Sequence, residues 1–263
     1  MVVVCALLVV LLFQLPKSVV DNEQDMQDGT PETEVKQEDA PHMEAPLELR
    51  QKIGEFRTLY GTTAEKEKKA IFADSLASWY AVSGVFDSAA WFSEEAATFF
   101  NTTESWKKTG NNYYQAFTFA LDVKKQQVLA SKAQEFYNKV LVQNPNDFEV
   151  KNNLALTYVS SSNPMQGILM LREVLVADPK NETALFNLGM LSVQSGQYEN
   201  AIERLNKLVE LNPNHIQGQL LLGVAYMQTG DKAKAKEQFE KIRNMDKDPA
   251  VQATVDSYLK DLK

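Results

Sequence analysis

Three consecutive blocks of 34 residues, 148–181, 182–215 and 216–249, repeat one sparse pattern of small, large apolar and turn-forming residues without a gap. A tandem period of this length restricts the fold severely, because each unit packs mainly on its neighbours and the chain grows as a quasi-one-dimensional stack. Counted within each block, position 7 is Leu154, Leu188 and Leu222, and position 8 is Ala155, Gly189 and Gly223. Position 20 is Gly167, Ala201 and Ala235, and position 24 is Leu171, Leu205 and Phe239. Small residues at 8 and 20 let two helices approach closely, and large residues at 7 and 24 fill the space beside that contact. Gly196 and Gly230 at position 15 mark the turn between the helices. Pro179 and Pro213 at position 32 stop the second helix, since proline cannot continue the hydrogen-bond ladder. Each block reads helix, turn, helix, stop.

This signature resembles the tetratricopeptide repeats (TPR). The block 182–215 carries it most fully, with Leu188, Gly189, Gly196, Tyr198, Ala201, Leu205 and Pro213 at family positions. It departs from the pattern at Ser192, where the family's usual Tyr is kept by Tyr158 and Tyr226 in the flanking blocks. In the last block Lys247 stands where a proline is expected, so the stop is displaced to Pro249. The resemblance implies an all-α fold, a right-handed α-α superhelix, and a protein-binding role.

Stepping backwards in the same register gives a degenerate block, 114–147, whose second half fits through Ala133, Tyr137, Val140 and Pro145. Its first half fits poorly, with Leu121 where a small residue belongs and Lys124 where an aromatic belongs. Further back, Leu76, Ala77, Tyr80, Gly84, Phe86, Ala89 and Ala96 mark another hairpin beginning at Ala70. Its start lies 44 residues before Tyr114, so about ten extra residues around 101–111 lengthen a connection or a helix. Five hairpins are therefore expected, two of them degenerate, with residues 47–113 holding the N-terminal helical region. A solenoid also needs ends that hide its apolar faces. Val251, Val255, Leu259 and Leu262 in 250–263 form the stripe of a C-terminal capping helix. Leu49, Ile53, Phe56 and Tyr60 form a matching N-terminal stripe, and Thr62 and Glu65 have capping-box spacing for the helix that follows.

The remaining N-terminal residues differ in kind. Residues 1–15 are apolar except for Gln14. As a helix they would rise only about 22 Å against a hydrocarbon layer of about 30 Å, and they lack the basic leader and cleavage pattern of a secretory signal. Residues 1–20 are therefore read as a single-pass membrane anchor whose printed start lies inside a longer segment. Residues 21–46 hold nine acidic residues, one Lys and three prolines, the composition of a disordered linker. Residues 1–46 thus account for −7 of the formal net charge of −8, leaving the repeats nearly neutral.

Chemistry finds few candidates. Cys5 is the only cysteine and lies in the apolar segment, and the two histidines are His42 in the linker and His215 between blocks. This excludes a thiolate or His-rich metal site and any evident nucleophile motif. Glu94 with Glu95, and Asp246 with Asp248, read as solvated pairs rather than acid–base machinery. No basic stripe with interleaved aromatics points to nucleic acid. No enzyme activity, cofactor or metal is expected.

What the resemblance implies is binding by the first helix of each hairpin, whose positions 2, 5, 9, 12 and 13 face a concave groove in the family. Here these are Glu149, Asn152, Leu156, Val159 and Ser160; Thr183, Phe186, Met190, Val193 and Gln194; and Gln217, Leu220, Val224, Met227 and Gln228. Eight are apolar and none is Lys or Arg, which fits an apolar or amphipathic segment of a protein partner and not the clamp for a terminal carboxylate that some family members carry. The expected protein is a membrane-tethered scaffold resembling bacterial anchored repeat proteins, with the repeats on the periplasmic side and a role in assembling an envelope complex. The alternative is a homo-oligomer that covers its own groove.

Overall fold

The period is realised as antiparallel helical hairpins stacked side by side. The structure, a computed structural model, describes residues 45–262. Among the described residues there are twelve α-helices and no strand. Helix α1, Leu47–Thr62, precedes five hairpins: α2, Lys66–Val82, with α3, Phe86–Phe100; α4, Thr103–Phe119, with α5, Val123–Gln143; α6, Phe148–Val159, with α7, Pro164–Ala177; α8, Glu182–Gln194, with α9, Tyr198–Leu211; and α10, Ile216–Gln228, with α11, Lys232–Met245. Helix α12, Pro249–Asp261, closes the stack.

Turn chemistry works as the repeat spacing predicts. Gly84, Gly196 and Gly230 have φ of 74°, 72° and 84°, the left-handed region where a Cβ is penalised. Each ends its helix with a pair of backbone bonds. After α8, Gln197 N–H donates to Ser192 O at 2.8 Å and Gly196 N–H to Val193 O at 3.1 Å, so two otherwise orphaned carbonyls are satisfied. Helices α7 and α9 end at Ala177 and Leu211, two residues before Pro179 and Pro213.

The small positions are where helices touch. A Cβ added at Gly189 would lie 2.7 Å from Leu205, and one at Gly223 would lie 2.7 Å from Phe239. At Gly167 it would meet the Ala155 carbonyl at 2.2 Å, a backbone atom with no freedom to retreat. Leu154, Leu171, Leu188, Leu205, Leu222 and Phe239 are buried beside these contacts. Burying such a side chain contributes about 1.5–3 kcal/mol.

Three local readings are corrected. The expected box at Thr62 and Glu65 does not form: Thr62 ends α1 with its hydroxyl bonded to Thr58 O, and Glu65 makes no side-chain cap. A capping box forms instead at Thr102 and Ser105, opening α4. Pro249 does not stop α11, which ends at Met245; it opens α12, where a missing N–H costs nothing.

The third correction concerns the register of the second hairpin. Tyr114 lies inside α4, and the close contact is between Gly110 and Tyr137, where an added Cβ would lie 2.6 Å from the ring. This is the counterpart of Gly189 on Leu205. The hairpin therefore begins at Thr103, Gly110 supplies the missing small residue, and Tyr113 supplies the missing aromatic. Thr103 lies 45 residues before Phe148, eleven more than the period. All eleven go into helix: α4 has 17 residues against 13 in α8, and α5 has 21 against 14 in α9. Both stretches lie between the close contact and the turn, so α4 and α5 run past that contact further than α8 and α9 do, by about 6 Å and about 10 Å at 1.5 Å per residue.

Both ends of the stack are covered. On α1, Phe56 packs edge-on to Phe72 and Trp79, and Tyr60 packs edge-on to Phe92 and Trp91. On α12, Tyr258 stacks on Phe239 with centroids 4.8 Å apart, and Val255 is buried.

Candidate functional site

The first helices of successive hairpins touch one another, α4 with α6 and α8 with α10, and so line one continuous inner face. Side-chain caps set where each begins. Asp147 Oδ1 accepts from Val150 N–H at 3.1 Å, Asn181 Oδ1 from Ala184 N–H at 3.0 Å, and His215 Nδ1 from Gly218 N–H at 3.0 Å. Accepting at Nδ1 puts the proton of neutral His215 on Nε2. Its ring lies against Phe186, with centroids 5.0 Å apart. His215 is thus a structural residue that joins two repeats.

Leu156, Val159, Phe186, Met190, Val193, Leu220, Val224 and Met227 are all half-buried. Phe186, Val193, Leu220, Val224 and Met227 pack beneath on the core of the last two hairpins. Val159 leans against Gly167 at the end of its hairpin, so it contributes less to the groove than the others. Asn152 is corrected. It is buried and its amide donates to Asn181 Oδ1 at 3.0 Å, tying one repeat to the cap of the next rather than facing a ligand.

The shifted register also brings to the inner face residues that the sequence reading left out. In the positions that correspond to those on α6, α8 and α10, α4 presents Glu104, Lys107, Asn111 and Tyr114. Lys107 Nζ lies 2.9 Å from Asp147 Oδ2 and 2.8 Å from Glu149 Oε2. Burial pulls the lysine down, but these two carboxylates outweigh it and hold the group above the ordinary lysine range. Lys108 Nζ binds Asp74 Oδ1 at 2.5 Å and Ser78 Oγ at 2.8 Å. An open depression of about 390 Å³ is lined by Glu104, Lys107, Lys108, Asn111 and Asn112. The inner face is therefore divided: mainly apolar along α8 and α10, with ion pairs where α4 meets α2 and α6. No Lys or Arg stands at the inner positions of α6, α8 and α10.

The paired carboxylates are structural. Glu94 accepts from the Tyr113 hydroxyl and from Lys132 Nζ at 2.6 Å, and Glu95 accepts from the Tyr60 hydroxyl at 2.8 Å. Burial first, then the Glu94 bond, pushes the Tyr113 phenol well above its usual range. Asp248 caps α12, and Asp246 accepts from the Asp248 N–H at 2.9 Å. Among the described residues no three His, Cys, Asp or Glu side chains converge as metal ligands, and no helix is long and apolar enough to cross a membrane. The anchor expected in 1–20, with Cys5, and the linker expected in 21–46, with His42, lie outside the described residues except for residues 45 and 46.

Comparison with known proteins agrees with this geometry. Two tetratricopeptide repeat models match, one over residues 152–216 and the other over 192–256. A search of curated proteins finds no match. Among solved structures, MamA 41-end from Desulfovibrio magneticus RS-1 is similar, with a TM-score of 0.54 and 22% identity, covering 67% of this chain and 94% of that one. A crystal structure of MamA aligns with a TM-score of 0.51 and 20% identity over 65% of this chain and 94% of that one. Identity this low establishes the fold alone. With the repeat register, the helical hairpins and the family matches in agreement, the chain carries tetratricopeptide repeats over residues 152–256.

Proposed function

We propose that this protein is a non-catalytic, membrane-tethered adaptor that holds an apolar or amphipathic segment of a protein partner in its inner groove. The observation that carries this reading is the row of half-buried apolar side chains on α8 and α10, centred on Phe186, Met190, Leu220 and Met227. They are accessible from one side and supported from the other, which suits anchors for a partner helix. The two methionines add adaptable contact area. The charged pairs around Lys107 and Lys108 lie at the N-terminal end of the same face and orient a partner through its own charges. The apolar segment 1–15 serves as the tether and the acidic linker as the spacer, with the repeats outside the cytoplasm, where they assist assembly of an envelope complex.

The test is site-specific photo-crosslinking in cells, with the reactive group at Met190 or Met227 and, as the outer-face control, at Val176, which is exposed on α7. A partner captured from both groove positions and not from Val176 supports the reading. Equal capture from all three positions, or capture of only a second copy of the chain, refutes it.

A further inference from the structure

The turn edge of the first two hairpins differs from the same edge of the last three. Exposed there are Val82 at 80%, Val85, Phe119 at 62%, Leu121 at 68%, Val123 and Val128. The corresponding turns of the last three hairpins present Ser160 to Asn163, Ser195 to Gln197, and Thr229 to Asp231. The apolar tips form one surface: Phe86 stacks on Phe119 with centroids 4.7 Å apart, and Lys125 Nζ bonds Asp87 Oδ2 at 2.7 Å between the two hairpins. The eleven-residue insertion lengthens the second hairpin at this edge, and its tip lies against the turn of the first. Exposed apolar residues grouped in this way mark an interaction site.

Two observations favour a lipid surface over a protein. First, α1 runs antiparallel to α2, since Tyr60 lies by Lys69 while Phe56 lies by Phe72 and Trp79. Leu47, where the preceding chain enters, therefore stands at the same edge as Val82 and the tips, and is itself exposed. Second, charged groups at this edge engage one another, Lys125 pairing with Asp87 and Asp122 Oδ1 accepting from Lys125 N–H at 2.7 Å, with Lys124 exposed beside them.

We infer that this edge, led by Phe119, Leu121 and Val123 with Val82 and Val85, rests in the interface of the bilayer to which the chain is tethered. The inference rests on the tether proposed above. With the first two hairpins against the lipid, the groove of the last three is held away from the surface and open to a partner.

The experiment uses the full chain carrying Cys5→Ser and one introduced cysteine, Leu121→Cys, Val85→Cys or Thr229→Cys. Each is labelled with an environment-sensitive fluorophore and mixed with phosphatidylcholine vesicles that contain brominated acyl chains. The expected result is a blue shift at both 121 and 85 and loss of about half or more of the emission, with 229 unchanged, for insertion within about 10 Å of the interface. The signal should be nearly the same at low and high salt, because the contact is apolar. If vesicles capture the chain but 121 and 85 still report water, or if 229 is quenched equally, the edge inference is overturned and the tether stands. If vesicles capture none of the chain, both fall. A blue shift at 121 that appears without vesicles and grows with protein concentration means that a second copy covers the edge, which also overturns the inference.

Discussion

Replacing Gly110 by alanine tests the shifted register of the second hairpin. An added Cβ would lie 2.6 and 2.7 Å from Cδ1 and Cε1 of Tyr137. That ring is fully buried, and its hydroxyl donates to Asn111 Oδ1 at 2.8 Å, so it cannot slide aside. Overpacking of this kind costs about 1–3 kcal/mol, while removing a glycine from a helix interior returns about 1 kcal/mol. Gly54 on α1 separates the two effects, because a Cβ there meets nothing within 4 Å. Gly54→Ala should therefore stabilise, and Gly110→Ala should be about 1–3 kcal/mol less stable than Gly54→Ala, the propensity term cancelling between them. Urea titration followed by far-UV circular dichroism measures the difference. In a Tyr137→Leu background the cost at 110 should shrink, with a coupling of about 0.5–3 kcal/mol. If Gly110→Ala and Gly54→Ala prove equally stable, the contact between α4 and α5 is not the one described, and the eleven-residue insertion has been placed wrongly.

Further expectations follow from the caps and the core. Phe239→Ala removes both the ring over Gly223 and the stack on Tyr258, so it should cost about 3–5 kcal/mol and release α12 in hydrogen exchange. Val176→Ala on the outer face should stay within about 0.5 kcal/mol; equal losses for the two would contradict the assigned burial. Asp147→Ala, which deletes the cap of α6, should cost about 1 kcal/mol in a denaturant titration, and Asp147→Asn should recover most of it. Asp231 caps α11, and the Lys234 N–H that it accepts, with the Lys234 ammonium, holds its carboxyl below the ordinary range. A lowered value in the folded state makes this contribution fully present above the unfolded carboxyl pKa and lost as pH falls through the folded one. Asp231→Asn, which caps without a charge, should flatten that acid limb in melting curves; an unchanged limb would show that the carboxylate plays no part.

The repeats at 148–249 were legible residue by residue because their determinants are local. A glycine at position 15, a small residue at 8 and a proline at 32 act within one hairpin, and a fixed period multiplies the signal. The apolar row on α8 and α10 followed from the same register. What the sequence could not place was the second hairpin. The four extra residues of α4 make about one helical turn and the seven of α5 about two, so each insertion leaves side chains on nearly their former faces and both helices unbroken. Nothing in composition marks it. Only the tertiary contact of Gly110 with Tyr137 assigns that register, and with it come Lys107 at the charged end of the groove and the projecting apolar tip at Phe119 and Leu121. Asn152 was misread for a related reason. Position in a repeat says which way a helix faces, but a buried amide goes where a partner atom completes its hydrogen bond, and for Asn152 that atom is the cap of the next repeat. The sequence by itself determined the hairpin and its period, because those are set by contacts a few turns apart. The tertiary structure alone decided how far each hairpin extends and what its edges present, because those depend on which helices meet.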